Sequence, residues 1–173
     1  MFATGLEPRK KSNNFQIARD WTSGPVDAFV TSEIKRTVNF LLAISKGLPV
    51  LSSDAITGIK DGPVNVMDRS LWLVDRVSEK KWGMKVEESV HKARVRKVLD
   101  GLTLWTHGKF PISSEEIKSL VVAMGGTWLS RAPAEVVGDM ICISADTDGR
   151  KNARVVDLDW LLKVAITQER EHP

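Results

Sequence analysis

Two adjacent cations, Lys35 and Arg36, lie at the start of a predicted helix over residues 33–46. The amino end of a helix carries partial positive charge, so Asp or Glu normally occupies its first turn. Cations are useful there if an anionic ligand binds across the turn, because the backbone N–H groups also favour phosphate or carboxylate. The simpler interpretation is that both side chains are solvated surface charges. Anion recognition is therefore the first chemistry that the sequence indicates.

Catalytic and metal-binding patterns are missing from the sequence. Its three histidines and its single cysteine, Cys142, lie far apart and lack metal-ligand spacing. It contains no phosphate-binding glycine loop, dinucleotide fingerprint or nucleophile elbow. Four aspartates between 146 and 159 are better explained as helix caps and turns than as paired catalytic acids. We therefore expect a protein that is not an enzyme and that needs no metal or cofactor.

The composition is that of an ordinary globular protein with a hydrophobic core. Of the 173 residues, 42% are hydrophobic and 27% are charged, and the net charge is only +3. A single cysteine excludes an internal disulfide and fits a reducing compartment. No apolar run approaches the roughly 20 residues of a membrane-spanning helix, so we expect no membrane association. Because a strand-like sequence begins almost at Met1, we expect a segment cut from a longer protein.

The elements of the first half follow from apolar periodicity and stop signals. Apolar residues recur at helical spacing over 33–46, and Gly47 supplies the stop. Thr31 or Ser32 is expected to cap the start of this helix. Short apolar runs predict the remaining elements, which are strands at 1–6, 28–32 and 48–52 and a short helix at 52–62.

The same order of elements recurs in the second half. A strand is predicted over 99–108, followed by a helix over 113–126 that begins with a Ser113–Glu116 capping box and ends at Gly-Gly. Further apolar runs predict strands at 127–130, 139–145 and 153–157 and a closing helix at 158–168. Strands that alternate with helices imply an α/β protein with small, mainly parallel sheets flanked by helices.

The segment between the halves, residues 77–97, is predicted to be a linker with one amphipathic helix. Val86, Val90 and Ala93 lie at helical spacing within it. Residues 76–97 hold eight basic and three acidic side chains, which are most simply a solvated face. DNA binding is possible but not favoured, because no aromatic residues alternate with the charges.

This order of elements resembles a tandem pair of BRCT repeats. The second half, "LDGLTLWTHG…EEIKSLVVAMGGTWLS…DMICISA…ARVVDLDWLL", carries the more specific match. The first half, "FATG…AFVTSEIKRTVNFLLAISKGLPVLS", looks like the phosphate-reading repeat, with Ala55 where a tryptophan is usual. The resemblance implies an α/β fold with two small domains in tandem, each a mainly parallel four-stranded sheet flanked by helices. The expected division is a partly degenerate first repeat (1–76), a linker (77–97) and a second repeat (98–173).

The resemblance also implies a phosphate site in the first repeat. In phosphopeptide-binding pairs, a hydroxyl and the next backbone N–H after the first strand hold the phosphate, and here these are Thr4 and Gly5. A hydroxyl can donate, and glycine lets the backbone approach an anion closely. The family lysine three residues after the helix arginine is replaced by Asn39, which brings no charge. Lys35 is a candidate substitute; an ordinary turn at Thr4-Gly5 and a surface role for Asn39 remain the alternatives.

Three further residues match the positions that receive the peptide downstream of the phosphate. Arg36 matches the family arginine that faces this segment and sometimes pairs with a terminal carboxylate. Ile112 and Leu158 match positions in the second repeat that receive a downstream side chain. Both being apolar fits a small greasy pocket, although either also fits the core.

The resemblance implies a non-catalytic phosphopeptide-binding module of a nuclear DNA-damage-response protein. Its expected ligand is a phosphoserine in a partner protein or a histone tail, and the isolated segment is expected to be a monomer. One alternative is a tandem scaffold without phosphate dependence that binds unmodified protein or DNA, which Asn39 favours. Another is an accessory segment of a DNA-repair enzyme.

Overall fold

The computed structural model describes residues 2–3, 21, 25–57, 64–145 and 154–170. Within these residues the strands form two separate sheets, one in each half of the chain, and every strand pairing is parallel. The predicted α/β class with helices beside parallel sheets is therefore confirmed. No helix in this part of the chain is both long enough and apolar enough to span a bilayer.

The first sheet has the strand order β1-β2-β3 within the described residues. Its strands and helices are β1 (Phe2–Ala3), β2 (Phe29–Thr31), α1 (Val38–Ser45), β3 (Val50–Ser52) and α2 (Ser53–Thr57). Ala3 lies opposite Val30, and Val30 lies opposite Leu51, so the carboxyl ends of all three strands lie at one edge. A fourth strand, which the sequence predicted for this sheet, is not among the described residues.

The second sheet is four-stranded, with the order β5-β4-β6-β7. Its elements are β4 (Thr103–His107), α5 (Ser114–Ala123), β5 (Thr127–Trp128), β6 (Met140–Ser144), β7 (Arg154–Val156) and α6 (Leu158–Thr167). All of them fall inside the predicted segments. The half-buried Trp160 of α6 packs against the core.

Helix α5 is fixed by local signals at both ends. The hydroxyl of Ser113 accepts from the Glu116 backbone N–H (3.2 Å), and the Glu116 carboxylate accepts from the Ser113 N–H (2.8 Å). Gly125 adopts φ +87°, and a Cβ atom there would lie 2.4 Å from Cβ of Lys97. Only glycine fits both this conformation and this close approach. The predicted capping box and glycine stop are confirmed.

Helix α1 begins later than predicted. Its N-cap is Thr37, whose hydroxyl accepts from the Phe40 N–H at 3.4 Å. The prediction that Thr31 or Ser32 would cap it is wrong, because the hydroxyl of Thr31 instead donates to the Glu33 carbonyl in the loop between β2 and α1. Lys35 therefore precedes the helix rather than occupying its first turn, and Arg36 does the same.

The segment between the two sheets contains two helices where the sequence predicted one. They are α3 (Arg76–Trp82) and α4 (Val86–Val95), and Gly83 ends the first in a left-handed conformation with φ +62°. The apolar face predicted for the single helix belongs to α4, where Val86, Val90 and Ala93 are buried. The division at residues 77–97 stays a prediction.

Helix α1 joins the two halves. It packs against α4 and against both α5 and α6 of the second half, as a tandem pair is expected to do. Its residues from Phe40 to Ser45 are all buried, and one hydrophobic cluster runs through both halves of the molecule. The burial of this apolar surface stabilises the contact between the halves, at about 25 cal/mol for each Å2 removed from water.

The carboxyl end of α1 is capped by cations from the linker. Arg94 Nε donates to the Gly47 carbonyl at 2.6 Å, and Lys97 Nζ donates to the Ser45 carbonyl at 3.0 Å. Positive charge and N–H donors are both favourable at a helix carboxyl terminus. Part of the basic excess in the linker thus stabilises the contact between the halves and is not simply a solvated face.

A buried tryptophan lies beside β3. Trp72 forms an isolated antiparallel bridge with Leu51, and its indole N–H donates to the Val66 carbonyl at 3.1 Å. Ala55, at the position where the family usually has a tryptophan, is half-buried in α2. The first half therefore keeps a large aromatic side chain in its core at a position that the sequence did not suggest.

Candidate anion-binding site

The described residues of the predicted phosphate site, Lys35 and Asn39, follow β2 at the carboxyl edge of the first sheet. In a parallel sheet, the loops that follow neighbouring strands leave from the same edge. The loop over 32–36 leaves this edge after β2, directly beside the end of β1 at Ala3. Thr4 and Gly5 follow Ala3 in the sequence and lie outside the described residues.

The amino end of α1 differs in the charge of its first turn from the amino ends of α4, α5 and α6. The first turn of α1 contains no acidic residue, whereas α4, α5 and α6 each have at least one. The N–H group of Phe40 is bonded to Thr37, which leaves those of Val38 and Asn39 as first-turn donors without an intrahelical acceptor. The helix dipole and these donors together favour an anion at this end.

Lys35 lies in the loop immediately before this helix end. Its ammonium group pairs with the Glu33 carboxylate at 2.7 Å, and its side chain is 63% exposed. An exposed pair of this kind contributes about 0–1 kcal/mol, so an anion of higher charge can compete for the lysine. The position permits Lys35 to supply the charge that Asn39 does not bring.

Arg36 connects three parts of the molecule. Its guanidinium group pairs with the Asp159 carboxylate of α6 at 2.8 Å and lies 4.6 Å from the ring centre of Trp82 in α3. Only 18% of its side chain is exposed, and Nε is buried without a hydrogen-bond partner. A planar, half-buried guanidinium group suits this combination of ion pair and ring stacking. Arg36 is thus fixed at the junction of the two halves.

Asn39 is engaged by an aromatic residue that the sequence reasoning missed. Its Oδ1 accepts a hydrogen bond from the indole Nε1 of Trp21 at 2.9 Å. The ammonium group of Lys46 lies 4.5 Å from the centre of the same ring. Trp21 comes from the stretch between β1 and β2 that the sequence left unassigned, so no periodic pattern indicated its position.

Ile112 and Leu158 lie at the corresponding edge of the second sheet. Ile112 is in the loop between β4 and the cap of α5, and Leu158 begins α6 directly after β7. Both are half-buried and pack against the core. Leu158 precedes Asp159, the partner of Arg36, which places the start of α6 close to the loop of the first half.

Asp75 is a second residue that sequence reasoning missed. One carboxylate oxygen accepts from the Ser78 N–H at 3.1 Å and caps α3, and the other accepts from the Ile34 N–H at 3.2 Å. The backbone and hydroxyl hydrogen bonds from Ser78 hold the pKa of Asp75 below its ordinary value, with a smaller contribution from Ile34. Asp75 therefore ties the loop that carries Lys35 and Arg36 to the linker.

The described residues contain no group of three or more His, Cys, Asp or Glu side chains that could hold a metal ion. Among the described residues, the edge of the first sheet offers backbone N–H donors, the Asn39 amide and two cations, Lys35 and Arg36, which are paired with Glu33 and Asp159. Such groups bind and orient an anion.

Comparison with known proteins gives relatives in one class. No known protein-family profile matches the chain. It is 25% identical over 119 residues to the human "Mediator of DNA damage checkpoint protein 1", which is 69% of this chain and 6% of that protein. It is 26% identical over 147 residues to the Mus musculus protein of the same name, covering 81% of this chain and 9% of that protein. The chain thus spans less than a tenth of the length of these relatives.

Two solved structures share the fold. The BRCT5-BRCT6 domains of S. pombe Brc1 superpose with a TM-score of 0.72 at 20% identity, covering 98% of this chain and 92% of that one. Rtt107p, residues 820–1070, superposes with a TM-score of 0.50 at 16% identity, covering 84% and 72%. At these identities the likeness concerns the fold, which is that of two BRCT domains in tandem.

Proposed function

We propose that this tandem BRCT pair is a non-catalytic module that binds a phosphoserine-containing segment of another protein. The observation that carries the proposal is the amino end of α1, which has no acidic residue in its first turn and lies beside the end of β1. The sequence match to DNA-damage checkpoint mediators supports the same class of function.

In this proposal the phosphate binds between the end of β1 and the start of α1. The hydroxyl of Thr4 and the backbone N–H of Gly5 donate to it from one side, and the amide of Asn39 donates from the other. Lys35 supplies positive charge, since a phosphoserine carries about −1.5 to −2 charges at neutral pH. Because charge-assisted bonds are about twice as strong as neutral ones, we expect weaker phosphate binding than in a pair with lysine at position 39.

The segment downstream of the phosphate would cross from the first half to the second. Arg36, whose guanidinium group lies over the ring of Trp82 and pairs with Asp159, would bind a carboxylate of the peptide. Ile112 and Leu158 would receive an apolar side chain farther along. Since the Arg36–Asp159 pair crosses between the halves, their packing would determine the width of this groove.

The proposed setting is the nuclear DNA-damage response, with a phosphorylated protein or a histone tail as partner. It rests on the names of the relatives, of which this chain matches only a small part. We also propose the division of the chain into a first repeat (1–76), a linker (77–97) and a second repeat (98–173), with the isolated segment a monomer.

The direct test compares a phosphoserine peptide with its unphosphorylated form by calorimetric titration. We expect the phosphorylated peptide to bind at least tenfold more tightly than the unphosphorylated one. Thr4→Ala removes one hydroxyl donor, and we expect it to remove this preference while the melting temperature stays unchanged. Thr103→Ala, at the amino end of β4 in the second half, is the control and should keep the preference. Equal affinities of the wild-type chain for both peptides would refute the proposal.

A tandem scaffold without phosphate dependence is the second candidate. The observation that favours it is the hydrogen bond between Trp21 and Asn39, which gives Asn39 a structural partner in place of a charge. Such a scaffold would bind unmodified protein or DNA with equal affinity before and after phosphorylation. A role as accessory segment of a DNA-repair enzyme would instead require a nucleotidyltransferase domain in the flanking sequence.

A further inference from the structure

We propose that Trp21 is a positioning residue for the phosphate site, because its indole N–H fixes the side-chain amide of Asn39 with the NH2 group free to donate to the ligand. This inference rests on the proposed function and adds a residue that acts through Asn39. The juxtaposition that carries it is the 2.9 Å hydrogen bond from Trp21 Nε1 to Asn39 Oδ1 at the start of α1.

The chemistry of the indole fixes the direction of this hydrogen bond. An indole nitrogen has one hydrogen and no acceptor, so it can only donate. The atom of Asn39 that faces it must therefore be the carbonyl oxygen. Trp21 thus selects one of the two orientations of an amide group that can otherwise turn over freely.

The NH2 group of Asn39 lies at the other end of the amide. With Oδ1 committed to Trp21, the two hydrogens of Nδ2 remain, and no described residue accepts a hydrogen bond from them. Asn39 is the second residue of α1, next to the first-turn N–H groups that also lack an intrahelical acceptor. An amide held in its donating orientation before the ligand arrives loses less entropy on binding than a freely rotating one.

Trp21 is held in place by further contacts. The ring is half-buried and packs against the core, and the ammonium group of Lys46 lies 4.5 Å from its centre. Asn39 and Lys46 are seven residues apart, which is two helical turns, so both lie on the same face of α1. The ring therefore has contacts with this face that do not depend on the hydrogen bond to Asn39.

The same geometry separates Asn39 from the lysine that the family has at this position. A lysine ammonium group carries three donors and no acceptor, so it cannot receive the indole hydrogen. A charged donor at position 39 and the hydrogen bond from Trp21 exclude each other. In this chain the ligand would meet a fixed neutral donor in place of a mobile charged one.

The experiment uses Trp21→Phe, which keeps an aromatic ring for Lys46 and removes the N–H donor together with the fused ring that carries it. The probe is a peptide with a single phosphoserine close to a free carboxyl terminus, together with its unphosphorylated form. We expect affinity for the phosphorylated peptide to fall about fivefold, the equivalent of one ordinary hydrogen bond, with the weak binding of the other peptide unchanged. The side-chain 15N–H2 signal of Asn39 should shift on titration of the wild-type chain and shift less in the variant.

Trp72→Phe is the matched control. The indole N–H of Trp72 also donates a hydrogen bond, to the Val66 carbonyl at 3.1 Å, and the guanidinium group of Arg69 lies 4.4 Å from the centre of its ring. Trp72 differs from Trp21 in lying beside β3. We expect this control to leave the affinity for both peptides unchanged. The inference is overturned if Trp21→Phe has no effect on the phosphorylated peptide, weakens both peptides equally, or acts no more strongly than Trp72→Phe. If the wild-type chain itself shows no preference for phosphate, the proposed function fails, and this inference fails with it.

Discussion

At the scale of single residues, the account depends on how a neutral amide takes the place of a lysine. Asn39 accepts a hydrogen bond from Trp21 and keeps its NH2 group for the proposed phosphate ligand. A variant with lysine should bind phosphate more tightly but should lose the indole bond. Affinity and stability should therefore change in opposite directions at this position.

Asn39→Lys tests directly whether affinity and stability change in opposite directions. We expect phosphopeptide binding to strengthen by about 1–2 kcal/mol, because a charge-assisted bond replaces a neutral one. The free energy of unfolding should fall by about 1 kcal/mol, since the Trp21 N–H loses its acceptor. Titration and denaturant unfolding measure the two quantities, with Asn39→Leu as the control that should weaken both. If lysine leaves the affinity unchanged, the phosphate does not bind at this position.

The contacts of Arg36 predict a preference for ligands with a free carboxyl terminus. Its fork pairs with Asp159 and its plane stacks on Trp82, and a lysine can reproduce neither arrangement fully. We expect the wild-type chain to prefer a phosphopeptide with a free carboxyl terminus over its amidated form by about 1 kcal/mol. Arg36→Lys should remove most of this difference and keep the phosphate preference. No difference between the two peptides in the wild-type chain would mean that Arg36 has only a structural role.

At the scale of elements, the loop between β2 and α1 is held by the linker. Asp75 caps α3 and accepts from Ile34 in this loop, so one carboxylate positions both elements. The pKa of Asp75 in the folded state lies below its ordinary value of 3.8, chiefly because of the hydrogen bonds from Ser78. A lowered pKa means that the charged carboxylate stabilises the fold. This contribution is complete above the ordinary value and is lost as the pH falls through the lowered one.

Asp75→Asn should therefore weaken both folding and ligand binding. We expect a loss of about 1 kcal/mol in unfolding free energy at neutral pH, the size of one hydrogen bond, because an asparagine amide has one acceptor oxygen where the carboxylate accepts from both Ser78 and Ile34. The decrease in stability on acidification below pH 3.8 should be smaller than in the wild-type chain. Glu116→Gln is the control, because Glu116 also has a lowered pKa from its capping box but lies in the second half. Both variants should change the pH profile of unfolding, and only Asp75→Asn should weaken phosphopeptide binding. Equal binding by the two variants would contradict the role given to this loop.

The elements also show which features a sequence can reveal. Helix α5 was predicted with both of its end signals because the capping box and the glycine stop are local. The start of α1 was misplaced because Ile34 is held by Asp75, a partner 41 residues away. The two linker helices were predicted as one because Gly83 was not taken as a stop. Turn residues are ambiguous until the packing around them is known.

In the candidate site, too, the residues of a local motif could be predicted from the sequence, whereas those that depend on tertiary contacts could not. A short motif within one predicted helix indicates Lys35, Arg36 and Asn39; in the structure the first two precede α1 and Asn39 is its second residue, and their role at a phosphate site stays a prediction. Trp21 and Asp159 could not be found in this way, because their contacts span 18 and 123 residues of chain. Contacts at such separations depend on the tertiary fold, which no local pattern encodes.

At the scale of the whole molecule, the two halves pack around α1 and share one hydrophobic cluster. The amino end of this helix lies at the proposed phosphate site, and its carboxyl end is capped by Arg94 and Lys97 of the linker. Gln168 of the second half donates to the hydroxyl of Ser45 at 3.2 Å at the same end. Substitutions far from the ligand should therefore change affinity whenever they shift α1 relative to the second half.

The most direct measurement is the affinity of the intact chain for one peptide in two states, with and without a phosphate on its serine. The account predicts that the phosphorylated form binds at least tenfold more tightly, which is about 1.4 kcal/mol, and that the Thr4→Ala variant binds both forms alike. Indistinguishable affinities of the unmodified chain for the two forms would contradict the claim that the start of α1 and the end of β1 together recognise a phosphate.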